Sequence, residues 1–128
     1  LALRKPPAQP AMPFTRRASL LTQAEARFHR VLLRCVPPGV SVFVKVRLMD
    51  VLAVGDGDWP RYGAPGSGMH LDFVLADGGT LAPLLVVELD DSSHWAAEAK
   101  KRDAFKDAAL ASAGMPILRV PVARSYDE

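Results

Sequence analysis

A single cysteine, Cys35, is all that these 128 residues hold. An internal disulfide is therefore excluded, as is any zinc site built from several cysteines. The lone thiol fits a reducing compartment such as the cytoplasm. Long apolar runs are missing too: no stretch approaches the roughly 20 residues that a membrane span requires. No membrane contact is expected within this chain. It begins at Leu1 rather than Met, so it reads as a piece of a longer protein from which an upstream signal or anchor could have been removed. There is no internal repeat, and the net charge is only +2. The length suits one domain with one core.

What is present is charge sorted along the chain. Residues 1–35 carry seven basic side chains against one acid, Glu25, whereas residues 70–128 carry ten acids against six bases. A basic end beside an acidic centre suits a polyanion-binding face next to a cation-binding cleft, and it equally suits a solvated tail. Residues 1–18 hold four prolines and no periodicity, which predicts a basic, proline-rich arm or linker before a domain over 19–128.

Within that domain the pattern predicts a helix over 22–36. Thr22 and Glu25 have capping-box spacing. Leu21, Ala24, Phe28, Val31, Leu32 and Cys35 form an apolar stripe opposite Arg27, Arg30 and Arg34. Residues 40–48 alternate, with valines one way and Ser41, Phe43, Lys45 and Arg47 the other, so Lys45 and Arg47 are expected to project together from a strand. A helical turn over 49–54 and a glycine-rich loop over 55–68 follow. Trp59 and Tyr62 in that loop suit either a lid on the core or a stacking platform for bases. Strands are predicted over 70–76 and 84–90, a helix over 95–113 and a short strand over 117–122. The order α-β-β-β-α-β describes an α/β (α+β) fold: a mixed central sheet flanked by helices.

The stretch LLVVELDDSSHW, residues 84–95, poses the functional question. Three carboxylates close what reads as the most buried strand. Alternation puts Glu88 and Asp90 on one face, about 7 Å apart, and leaves Asp91 to the turn. A hairpin through residues 77–83 would bring Asp72 opposite Glu88 or Asp90. Carboxylates gathered this way repel unless something positive joins them, and a hard divalent cation such as Mg2+ or Mn2+ fits oxygen donors. His94, or His70, would add a nitrogen ligand or a proton carrier. The plain alternative is acids entering solvent, with Ser92 and Ser93 as a turn and cap. Asp103 and Asp107 read as helix-surface charges paired locally with Lys100, Arg102 or Lys106, and Arg119 as a structural ion-pair partner.

The segments LLTQAEARFHRVL, VFVKVRLMDVL, HLDFVLAD, PLLVVELDDSSH, RDAFKDAAL and AGMPILRVP together resemble a bacterial family of domains of unknown function, numbered 2726. That family looks like a branch of the restriction-endonuclease-like fold, near the very-short-patch repair endonucleases. The resemblance implies a strand aspartate, Asp72, then a second strand with an acid, one spacer and a lysine. Glu88 matches the acid, and Asp90 stands where the lysine would be. It further implies Glu25 as the glutamate of the first helix and His94 as an acid/base. The expected function is then metal-dependent hydrolysis of phosphodiester bonds in nucleic acid, with DNA favoured. Asp72, Glu88 and Asp90 would hold Mg2+ or Mn2+; Arg27, Arg30, Arg34, Lys45 and Arg47 would contact phosphates. The alternative is a nuclease-derived module that binds nucleic acid or protein without catalysis, because an aspartate cannot replace the lysine's charge.

Overall fold

The computed structural model describes residues 2–6, 11–91 and 97–128. Helix α1 spans Gln23–Cys35 and opens with the expected capping box: the Thr22 hydroxyl accepts from the Glu25 N–H, and Glu25 accepts from the Thr22 N–H at 2.8 Å. Its buried residues are Phe28 and Leu32, while Cys35 is exposed, so the apolar stripe is narrower than the pattern suggests. Gly39, at φ +85°, turns the chain into strand β1, Val40–Arg47. Short helical turns follow at α2, Leu48–Val51, and through residues 56–63 to α3, Ala64–Gly66. The glycine-rich stretch is thus a series of turns rather than an open loop.

Strand β2, His70–Asp77, and strand β3, Pro83–Asp90, form an antiparallel hairpin. The Asp77 carboxylate accepts from the N–H groups of Gly79 and Thr80, both at 2.8 Å, and so closes the connecting turn. Helix α4, Ala97–Ser112, carries the chain back to strand β4, Ile117–Pro121, which lies parallel to β3. The sheet order is β1-β2-β3-β4: a four-stranded mixed sheet with helices on its faces. This is the mixed α/β arrangement that the sequence predicts. Among the described residues no helix is long and apolar enough to cross a membrane.

Two apolar clusters sandwich the sheet. Phe28, Leu32, Phe73, Leu75, Val87 and Leu89 form the α1 side; Leu48, Leu71, Val74, Val86 and Leu110 form the other. Simple alternation breaks down at one level of the sheet. Val40, Val42 and Val44 pack on the α1 side, but Val46 packs on the α4 side; likewise Phe73 and Leu71 separate. The cause lies at Lys45, whose φ of +51° is left-handed and rare for a residue with a side chain. The β1–β2 register runs unbroken in number, yet Lys45 and Asp72 drop out of the pairing. Lys45 and Arg47 consequently do not project as a pair.

Candidate functional site

The break in the sheet is where the carboxylates meet. Backbone pairing of β2 with β3 ends at Phe73 and Val87. One step further, side chains take over. The Asp72 N–H donates to Glu88 Oε2 at 3.1 Å, and the Leu89 N–H donates to Asp72 Oδ2 at 2.9 Å. The two acids thus hold the strand ends together while the strands part. Glu88 is 3% exposed, the buried charged residue of the core. A charge at that depth requires a partner.

Lys106 supplies it. Its Nζ lies 2.8 Å from Glu88 Oε1 and donates also to the carbonyl oxygen of His70 at 3.3 Å. Both side chains of the pair are largely enclosed. On spacing alone Lys106 reads as a local partner for Asp103, and that contact exists at 3.8 Å; the shorter and drier one is with Glu88. The sequence did hold a usable signal. Lys106 stands one turn before Leu110, the fully buried residue of α4, and so shares the inward stripe.

Among the described residues Asp72 has no such cation of its own. Burial, then its contact with and the negative charge of Glu88, and finally the charge of Glu25 push its carboxyl up to about 7, against the opposing pull of the Leu89 N–H. Glu25 lies at the edge of the same group. Its Oε2 is 3.4 Å from Lys45 Nζ. Burial raises its pKa, but the bonds from Thr22 and the charge of Lys45 outweigh that and leave it below the ordinary value. Capping and a place beside the carboxylates are therefore both true of Glu25. The ordered row Lys45, Glu25, Asp72, Glu88, Lys106 comes from α1, the edge strand β1, the two inner strands β2 and β3, and α4.

Asp90 stands apart from that row. Its Oδ1 accepts from Arg119 Nη1 at 3.1 Å. Arg119 also holds Asp107 at 2.7 Å and approaches Asp103 at 3.8 Å, so it is the ion-pair partner the sequence suggests, with three carboxylates. Among the described residues no three His, Cys, Asp or Glu side chains converge as a metal-holding group. Asp72 and Glu88 converge as two. Magnesium is commonly held by one or two carboxylates with waters completing its shell, so this pair fits that class of ion and does not fit a closed zinc site.

The basic candidates separate as well. Arg47 is bound by both oxygens of Asp50, and Arg34 pairs with Glu128 at 2.6 Å. Arg30 is exposed, and Arg27 is half-buried with Nε enclosed and without a hydrogen-bond partner. Lys45 alone of the five stands in the carboxylate row. His94 lies outside the described residues. A cleft of about 300 Å3 opens beside Lys106, lined also by Met69, His70, Arg102 and Asp103. A larger hollow of about 490 Å3 lies elsewhere, between α2 and α4, with Leu48, Leu52, Tyr62 and Phe105 in its wall. Being mostly apolar and without any of the row's charges, it is not where polar chemistry would occur.

A family profile, DUF2726, described as a protein of unknown function, matches residues 17–128. The chain belongs to that family. No curated protein and no solved structure matches it. The DUF2726 match takes in every residue of the carboxylate row together with Asp90 and Arg119, and leaves residues 1–16 outside.

Proposed function

We propose that this DUF2726 domain is a metal-dependent nuclease that hydrolyses phosphodiester bonds, with DNA the favoured substrate and a restriction-endonuclease-like site. The observation that carries the reading is the Asp72–Glu88 pair at the parting of two strands, with Lys106 2.8 Å from Glu88. Asp72 and Glu88 would hold Mg2+ or Mn2+. When bound, such an ion supplies an activated water and neutralises charge on the phosphodiester. The chain's own groups do the rest. Lys106 fixes one Glu88 oxygen and brings an ammonium group beside the pair, which stabilises negative charge developing on a phosphate oxygen. It stands in for the lysine that the resemblance expects at Asp90. Lys45 offers a second cation on the opposite side, and the exposed Arg30 a phosphate contact. His94 keeps the acid/base role that the resemblance gives it.

The decisive assay is nicking of plasmid DNA and cleavage of single-stranded DNA and RNA, with Mg2+ or Mn2+ and with chelator. Metal-dependent products that vanish in Asp72→Asn and Glu88→Gln are expected. No cleavage with either ion, or equal cleavage by both variants, sinks the reading. A second reading has one observation in its favour: Glu88 is already neutralised by Lys106, and among the described residues no third ligand converges. A non-catalytic module would then bind nucleic acid in a salt-sensitive way, unchanged by Asp72→Asn and without cutting.

A further inference from the structure

Asp90 and Arg119 lie outside the carboxylate row, yet they touch the helix that completes it. Helix α4 has little apolar grip on the sheet: Leu110 is its buried residue, with Phe105 half-buried beside it. Charge must therefore set where its inward turn falls. Arg119 sits directly opposite Glu88 in the parallel β3–β4 register. From there its guanidinium spans Asp90 on β3 and Asp107 on α4, at 3.1 and 2.7 Å, and comes within 3.8 Å of Asp103. Asp103 and Asp107 are one helical turn apart and bracket Lys106. Asp103 also lies 3.8 Å from Lys106 Nζ. The contacts close into a ring: Glu88, Lys106, Asp103, Arg119, Asp90, and back to Glu88 two residues along the same strand face.

We infer that Arg119, anchored by Asp90, is the positioning residue that holds Lys106 on Glu88. This rests on the hydrolytic reading for its consequence in catalysis, but not for the positioning itself. The physical case is geometric. Planar guanidinium is suited to bridging several carboxylates in fixed directions. A lysine at position 90 would face Arg119 with like charge and release the turn of α4 that carries Lys106. The aspartate at 90 and the lysine at 106 are then two halves of one arrangement: the strand gives up its own cation and instead anchors the arginine that steadies a cation delivered by the helix.

The test uses the full chain and its Arg119→Gln, Asp90→Asn and Arg119→Lys variants. Each is labelled with a small amine-acylating reagent, and the rate at Lys106 is read by mass spectrometry against Lys100 and Lys101, which are exposed on the same helix. Lys106 should label slowly in the parent chain and about fivefold faster in Arg119→Gln, as expected for loss of an ion-pair contact. Asp90→Asn should be intermediate, and so should Arg119→Lys, which keeps the charge but not the planar bridge. Asp90 is half-exposed, so Asp90→Asn carries the test if Arg119→Gln fails to fold. Lys106 that stays protected in folded Arg119→Gln and Asp90→Asn overturns the inference, whether or not the chain cuts nucleic acid. Faster labelling in a chain that cuts nothing supports the positioning and sinks only the hydrolytic reading. Where the parent cuts, Arg119→Gln should lower kcat about 10–100-fold with KM nearly unchanged. Unchanged kcat despite a freed Lys106 overturns the catalytic consequence.

Discussion

Helices α1 and α4 cover opposite faces of one sheet, and different forces hold them there. On the α1 side, Phe28 and Leu32 meet Phe73, Leu75, Val87 and Leu89, and the Phe28 and Phe73 rings lie 5.4 Å apart. Tyr126 adds a third ring at 5.3 Å from Phe28. Charge on α1 lies at its cap, on the exposed Arg30 and Arg34, and at the half-buried Arg27. On the α4 side, Leu110 and Phe105 are joined by Lys106, Asp103 and Asp107, which reach ions on β3 and β4. Apolar contact is non-directional and insensitive to charge screening and pH, whereas ion pairs are directional and answer to both. One helix is thus a fixed support, and the other is set in place by the same charges that form the site.

The sharpest way to strike the fixed side is Phe73→Ala. It removes a fully buried ring from the centre of the α1 cluster and should cost about 3–5 kcal/mol by urea denaturation, with little dependence on salt. On the other side, Lys106→Met leaves Glu88 buried and unpaired. A loss of about 3 kcal/mol by urea denaturation is expected, because an uncompensated charge is left in the core. A loss no larger than that of an exposed ion pair would dissolve the contrast between the two faces.

Asp72 predicts the opposite sign. Its folded pKa of about 7 exceeds the ordinary 3.8, so between those values the folded chain keeps a proton that the unfolded chain has released. The stability this provides is full below about pH 4 and lost as pH rises through 7. Asp72→Asn should therefore stabilise the chain at pH 8, by about 2 kcal/mol, and change little at pH 4. A variant that destabilises equally at both pH values would place Asp72 among ordinary structural acids. Smaller is Thr22→Ala, which deletes the α1 cap for about 1 kcal/mol. Smallest is Arg34→Ala, whose exposed pair with Glu128 should be worth under about 0.5 kcal/mol and vanish in high salt.

The local signals were legible where their cause was local. The capping box at Thr22 and Glu25, the turn acid Asp77, and the strand that ends at Asp90 follow from spacing alone. So did the placing of Asp72 opposite Glu88 or Asp90, because a hairpin of that length leaves few registers; the structure takes Glu88. Alternation failed at Lys45, since a single left-handed residue reverses which face the next side chains take. Lys106 as the partner of Glu88 is less legible, because its sequence neighbours offer it nearer acids than one 18 positions away.

By itself, then, the sequence determined the main helices and strands, their order and the two central carboxylates, all of which depend on periodicity and short-range hydrogen bonding. Only the tertiary structure decided which cation serves which acid. Lys106 went to Glu88 and Arg119 to Asp90 because helix α4 crosses above β3, and pairing at that distance depends on where a helix rests in space, which no spacing along the chain records.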